Sequence, residues 1–384
     1  MWQLQLCVSG GDSAGAVFPR GQICKQNPGG GIMSETVQLK TSPHLRGMHS
    51  VEKIMRHVVY ALIPVCLFSI VQFGLSALSL LMVCTVVCVG TEHFFCARSK
   101  RLSTIHDWSA VITGVLMALI LPPGFPLWMA AVASFIAIAL GKFFFGGLGY
   151  NVFNPALVGR AFAQAAFTVP ITTWTPGMAH RRFHEFIPTT LTPPFLQPDF
   201  EGFAQWVENL RIDGYTGATP LAMMKFDHLE TDSIQLLLGT VASSAGESSA
   251  LLILLGGIYL AFRKMLNWRI PVAVLGSAFL FSGFFFLRNP EIYPSPFFTL
   301  VSGGLMLGAV FMATDMVSSP VTPMGVWIYG ILIGLLTVMI RLFGGLNEGV
   351  MYAILLGNAA TPLINNLTQP RIYGAVRKRK EKTA

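Results

Sequence analysis

The sequence predicts an all-α polytopic membrane protein of about ten transmembrane helices, set as two five-helix halves around a polar extracytoplasmic insert. Three observations carry this. Of the 384 residues, 53% are hydrophobic and only 11% are charged, against about 25% charged in ordinary soluble domains. The apolar residues come in long blocks instead of at amphipathic spacing, and a hydrocarbon core about 30 Å thick takes about 20 of them per helix, because a helix satisfies its own backbone in lipid. Basic residues gather between every second pair of blocks, the pattern of loops held in the cytoplasm.

Along the chain, residues 1–32 are rich in Gly and polar residues, hold no apolar run of the signal-peptide kind, and stop before Met33-Ser34-Glu35-Thr36, which opens like a conventional start. They read as a non-native or disordered extension, followed by a cytoplasmic segment at 33–56. The first membrane half covers 57–172, with blocks at 57–73, 75–95, 108–121, 126–145 and 155–172. The blocks from Ser109 to Leu121 and from Ala156 are short for a full crossing, so tilted, broken or partly re-entrant helices are expected there, covered by protein. A polar insert follows at 173–248. The second half covers 249–367, with blocks at 249–262, 270–287, 298–317, 326–343 and 349–367, and the chain closes on a basic tail at 368–384.

Charge fixes the expected orientation. With Arg46, Lys53 and Arg56 inside, the group Arg98, Lys100 and Arg101 falls inside, as do Lys142, the group Arg263, Lys264 and Arg269, and the tail from Arg371 to Lys382; Arg288 and Arg341 are isolated exceptions. An odd number of crossings in each half then sends the insert to the exterior, the periplasm of a Gram-negative cell, with both termini in the cytoplasm of a bacterial inner membrane. The formal net charge of +8 is accounted for by cytoplasmic loops beside anionic lipid headgroups and needs no nucleic acid.

The six cysteines give no metal pattern. Cys7 and Cys24 lie in the extension, Cys84 and Cys88 are four apart on one helix face, Cys66 is in the preceding span, and no CxxC pair accompanies them or Cys96. Helix packing is the expected role. The insert holds no cysteine, so no disulfide braces it. An internal repeat emerges from the blocks. Thr113-Gly114-Val115-Leu116-Met117 leads to Gly146-Gly147-Leu148-Gly149, and Ser302-Gly303-Gly304-Leu305-Met306 leads to Gly344-Gly345-Leu346-Asn347. Two similar halves of five helices have opposite orientations, the inverted-repeat plan.

The chemistry is expected in the insert, at Asp213-Gly214-Tyr215-Thr216-Gly217-Ala218-Thr219-Pro220-Leu221. Small residues and proline around Thr219 read as a tight, accessible turn that presents a hydroxyl to a modifying enzyme. This stretch resembles the Asp-Gly-x-(Ser/Thr)-Gly-Ala-Thr recognition pattern of the flavin transferase that links FMN through its phosphate to the last Thr. The rest of the chain, from about residue 42 to 374, resembles the NqrB/RnfD family and its RnfD branch in particular. Asn154-Pro155-Ala156-Leu157-Val158-Gly159-Arg160, Phe343-Gly344-Gly345, Pro362-Leu363-Ile364-Asn365-Asn366 and Gln369-Pro370-Arg371-Ile372-Tyr373-Gly374 carry that likeness.

The resemblance implies covalent FMN on Thr219, with Asp213, Gly214, Thr216, Gly217 and Ala218 shaping the sequon, and a second, noncovalent flavin between the repeats that no residue identifies. It implies a membrane subunit of an ion-translocating ferredoxin:NAD⁺ oxidoreductase (Rnf) complex, partnered by subunits A, B, C, E and G, matured by a flavin transferase and embedded in lipid. Such a subunit relays electrons coupled to Na⁺ or H⁺ movement and has no catalytic activity by itself. Intramembrane ionisable residues are expensive and so are candidates for an ion pathway: Asp315, Glu92 and Arg160. Two other readings compete. One is the related B subunit of the sodium-pumping NADH:quinone oxidoreductase; the other is a channel or secondary transporter, which has no use for a flavinylation sequon.

Overall fold

The computed structural model describes residues 25–26, 32–33, 50–99, 105–209, 219–227, 231–239, 244–246, 249–345 and 348–370. The chain divides into two units, Met1–Ser50 and Val51–Ala384. In the first, Lys25–Gln26 (β1) and Ile32–Met33 (β2) form a short antiparallel ladder, pairing Lys25 with Met33 and Gln26 with Ile32. These are the only strands among the described residues, so the all-α reading applies to the second unit.

That unit is a helical bundle whose elements sit on the apolar blocks. Its first half holds α1 (Val51–Phe73), α2 (Leu75–Arg98), α3 (Ser109–Ile120), α4 (Leu127–Ile138), the last continued by a π-turn at Ala139–Phe143, and α5 (Pro155–Ala166). The first half closes on α6 (Thr168–Thr172), and the insert adds α7 (Phe200–Asn209), α8 (Pro220–Ala222) with a π-turn at Met223–Asp227, and α9 (Ser233–Leu238). The second half holds α10 (Ala250–Phe262), α11 (Arg269–Arg288), α12 (Pro296–Val301), α13 (Leu305–Leu307) with a π-turn at Gly308–Met312, α14 (Pro323–Phe343) and α15 (Val350–Thr368).

Four of these helices, α1, α2, α11 and α14, are long and apolar enough to cross a membrane, and α3, α4 with its π-turn, and α10 are shorter apolar helices. On α1 the large apolar side chains Tyr60, Ile63, Leu67 and Val71 are exposed, as are Trp327, Ile328 and Ile331 on α14. Apolar stripes of that length left uncovered mark a surface built to meet lipid. The protein is therefore a polytopic membrane protein.

Helix starts share one local device. Asn154-Pro155, Thr219-Pro220, Ser295-Pro296 and Thr322-Pro323 each place a short polar side chain at the N-cap, accepting a backbone N–H, and a proline at the first helical position. The cap satisfies an otherwise orphaned donor, and proline's missing N–H costs nothing there.

Packing follows the same order in both halves. In the first, α2 lies against α3 and α4, and α4 against α5; in the second, α11 lies against α12 and α14, and α14 against α15. Across the halves α1 packs on α10, and α5 meets α15. The α11–α14 contact depends on Gly334, where an added Cβ would lie 1.9 Å from Ser277 Oγ and 2.6 Å from the Val274 carbonyl oxygen. Two predicted spans are not continuous helices. The block at 155–172 breaks at Phe167, between α5 and α6. The block at 298–317 breaks at Ser302–Gly304, between α12 and α13, and then widens into the π-turn.

The insert is tied to one end of the bundle. The Met178 N–H donates to the Gln72 carbonyl at 2.9 Å, Leu75 N–H to Arg182 at 2.9 Å, Leu127 N–H to Thr190 at 3.1 Å and Gly246 N–H to Leu119 at 2.6 Å. These bonds set it over the α1–α2 turn, the end of α3 and the start of α4.

Candidate functional site

Thr219 stands where the insert returns to the membrane helices. Its backbone is extended, its side-chain oxygen accepts the Ala222 N–H at 3.2 Å, and its carbonyl accepts Met223 N–H at 2.9 Å. The expected tight turn is thus the N-cap of α8. The expected accessibility is not found, because Thr219 is 4% exposed. The next few residues are docked on the bundle. Leu221 packs onto Gly303, whose φ of +69° suits a residue without Cβ, and a Cβ there would lie 2.5 Å from Leu221 Cδ1. The Lys225 ammonium donates to the Gly344 carbonyl. Asp213, Gly214, Thr216, Gly217 and Ala218 lie outside the described residues.

Beside this segment is a cavity of about 120 Å³ lined by Leu221, Met224 and Lys225 from the insert and by Ser282, Tyr293, Phe298, Thr299, Val338, Arg341 and Leu342 from the second half. Arg341 is buried, donating to the carbonyls of Thr299 at 2.6 Å and Ser302 at 2.9 Å. Those carbonyls belong to the end of α12, where the helix breaks and has no N–H of its own to offer. Ser282 and Thr299 join their hydroxyls at 2.8 Å. Partial burial holds the Lys225 ammonium below the usual lysine pKa. The wall thus combines apolar faces with two basic side chains.

A second cavity, about 100 Å³, lies between the halves, with Ile54, Val58, Ile112, Leu116 and Phe311 supplying apolar walls and Thr113, Lys142, Asn151, Asn154, Thr314 and Asp315 supplying polar ones. Asn154 accepts the Ala156 N–H at 3.0 Å as the α5 cap and donates to the Met312 carbonyl at 3.2 Å. Asp315 accepts from Ser318 Oγ at 3.0 Å, from Val317 N–H at 3.3 Å and from Asn151 Nδ2 at 3.4 Å. The carboxylate therefore caps a turn and also receives a side chain from the opposite half.

The three ionisable residues picked from sequence do not converge. Glu92 accepts from Lys142 Nζ at 2.5 Å, and Lys142 also donates to Ser109 Oγ at 2.7 Å, with both charged side chains 4% exposed. Arg160 donates to the Ile120 carbonyl at the end of α3 and forms an ion pair with Glu348. Lys142, read from sequence as a loop charge, is instead an interior cation. The signal was available: it follows the apolar run from Leu127 with no polar flank, and a charge there needs a partner. Arg341, read as an isolated exception, is likewise an interior cation. Glu348, Asn151 and Asn154 carried no marker of their own in the sequence. Of the described cysteines, Cys66, Cys84 and Cys88 are free thiols, and Cys84, Cys88 and Cys96 are buried among the helices.

Comparison with known proteins gives one direction. A family model described as the NQR2, RnfD, RnfE family matches residues 38–374. The chain is 41% identical over 350 residues to the D subunit of the Na⁺-translocating ferredoxin:NAD⁺ oxidoreductase complex of Acetobacterium woodii, covering 90% of this chain and 98% of that one. It is 39% identical over 356 residues to the D subunit of the proton-translocating ferredoxin:NAD⁺ oxidoreductase complex of Clostridium ljungdahlii, with 90% and 98% covered. To the D subunit of the ion-translocating oxidoreductase complex of Aliivibrio salmonicida it is 36% identical over 345 residues, with 88% and 98% covered.

Proposed function

The chain belongs to the NQR2, RnfD, RnfE family, and from that premise we propose that it is the D-type membrane subunit of an ion-translocating ferredoxin:NAD⁺ oxidoreductase complex and carries FMN on Thr219. The observation that carries the reading is Thr219 itself: the last residue of Asp213–Thr219 stands beside a cavity with two basic side chains, within a chain that matches the family almost end to end. A redox subunit of this kind acts within its assembly, so its partners are the other Rnf subunits, the flavin transferase and the lipid.

The residues fit a phosphate-linked flavin. Thr219 supplies the ester oxygen, Lys225 and Arg341 place positive charge on the wall of the adjoining cavity, and Leu221, Phe298 and Leu342 offer apolar faces. When bound, FMN supplies one- and two-electron transfer, chemistry that no side chain here provides. Thr219 keeps the group from diffusing away, and the buried Arg341 holds the broken end of α12 in place beneath it. The cavity between the halves, at about 100 Å³, is smaller than a ligand pocket of about 300 Å³ or more and does not seat the second, noncovalent flavin as it stands.

The frame is two inverted five-helix repeats, α1–α5 and α10–α15, with α12, α13 and the π-turn counted as one broken crossing. What supports this is the matching packing order of the halves together with the repeated Gly-Gly-Leu segments. The insert faces the periplasm and both termini the cytoplasm of a bacterial inner membrane. Of the ionisable candidates, Asp315 is the ion-pathway residue, because it lines a cavity; Glu92 and Arg160 are committed to ion pairs that hold helices together.

The test is flavin fluorescence of the denatured protein in a gel after coexpression with its transferase. Wild type is expected to fluoresce and Thr219→Ala to be dark. A dark wild type, with the transferase active on a control substrate, would remove the relay role.

A further inference from the structure

Thr219 is placed where no enzyme can reach it. Attachment of FMN from flavin adenine dinucleotide requires the Thr219 oxygen to attack the phosphorus of the FMN half. A new P–O bond forms as the pyrophosphate P–O bond breaks, AMP departs with the bridging oxygen, and the hydroxyl proton passes to a base on the transferase. The attacking oxygen must enter the transferase site opposite the leaving AMP, about 3–3.5 Å from phosphorus. At 4% exposure, with its oxygen turned inward to the Ala222 N–H at 3.2 Å, Thr219 offers no such approach.

Thr219 sits in a short docked segment. Residues 219–227 hold to the bundle through Leu221 on Gly303 and through the Lys225 ammonium on the Gly344 carbonyl, and α8 is only three residues long. A cavity of about 120 Å³ lies under the same segment, so part of its inner face meets no packed surface. Pro220, Leu221, Ala222 and Met224 are buried while Phe226 at the far end is exposed, and so short a segment opens locally at less than the cost of global unfolding.

Resting on the FMN reading above, we propose that Thr219–Asp227 is a detachable strap, that Thr219 is flavinylated only while the strap is lifted from Gly303 and Gly344, and that this opening sets the rate of maturation. The modified strap cannot return to the same seat, because the cover over Thr219 leaves no room for a phosphodiester and a flavin. Attachment therefore also commits the strap to a second position.

The experiment uses the full chain purified in detergent. A single reporter, Thr219→Cys, is labelled with a polar maleimide, corrected for the parent chain, and compared with Glu201→Cys, which is exposed on α7. Labelling of Thr219→Cys is expected to be slower by roughly tenfold or more. Gly303→Ala puts a methyl into the Leu221 seat and Lys225→Met removes the second anchor; each is expected to speed labelling several-fold. Each is then expected, in a chain with Thr219 intact, to raise the initial rate of flavinylation by purified transferase and flavin adenine dinucleotide by a similar factor.

Two independent anchors keep the test usable if one variant does not fold. Labelling of Thr219→Cys as fast as Glu201→Cys would overturn the docked strap. Faster labelling with an unchanged flavinylation rate would overturn the opening-limited step. Slow labelling released by both variants, with no flavinylation of any chain, would overturn the FMN reading instead and leave the strap without a substrate.

Discussion

Lys142 shows how much one buried charge constrains this molecule. Its ammonium is enclosed with the Glu92 carboxylate and Ser109 Oγ, and an ion pair removed from water repays its desolvation only with close geometry and further hydrogen bonds. Removing one partner is far worse than removing both. Lys142→Met is expected to destabilise the protein by about 3–5 kcal/mol, and Glu92→Gln combined with Lys142→Met by clearly less. Thermal unfolding in detergent checks it; a double variant no more stable than Lys142→Met alone would show that the pair is not coupled. At this scale the sequence was half legible. The sequon marks Thr219 as the candidate attachment point. Its partner N–H carries no such mark, although Thr219-Pro220 is a helix-start signal of the same form as Asn154-Pro155. Reading it as a cap would have predicted an occupied hydroxyl. Nor do local patterns reveal that Arg160 reaches Glu348, 188 positions away.

Helices were easier to read than their interruptions. Apolar blocks specify where a helix runs, since any backbone group left unpaired in lipid is costly, and the blocks and observed helices agree closely. The breaks come from tertiary packing. At Ser302–Gly304 the helix stops because Arg341 from α14 takes the carbonyls that the next turn would have used. The π-turn at Ala139–Phe143 has a comparable explanation in the repeat. Lys142 lies four residues before Gly146, and Arg341 three before Gly344. The one-residue difference is what a π-turn inserts, and it leaves a cation at the matching end of α4 and α14. Helix-to-helix contact also gives a sharp prediction. Gly334→Val would drive its side chain into Ser277 Oγ and into the Val274 carbonyl and Ala278 nitrogen, and the last two are backbone, which cannot yield as a side chain can. Overpacking costs about 1–3 kcal/mol or more, so a lower midpoint in thermal unfolding is expected. An unchanged midpoint would mean that α11 and α14 are less closely seated than the 1.9 Å approach requires.

For the whole molecule, the membrane class was written in composition, while orientation rests on charge bias alone. Impermeant cysteine labelling in intact cells or spheroplasts decides it. Cysteine introduced in the loop between Arg263 and Arg269 is expected to be protected, and cysteine at Glu201 in the insert to react from outside. The reverse pattern would turn the insert, and Thr219 with it, to the cytoplasm.

Inverted repeats usually invite the thought of a rocker, with one half swinging against the other around a central site to open alternately on each side. The cross-ties speak against that motion here. His57 and Tyr259 bond at 2.8 Å, Asn154 reaches Met312, Asn151 reaches Asp315 and Arg160 pairs with Glu348, each joining the first half to the second. A rocking stroke would have to break these bonds on both flanks in every cycle, and two of them carry charge. On the repeat reading proposed above, the two halves serve as a chassis: they keep separate mounting points at fixed spacing, and leave movement to short segments and to the ion itself.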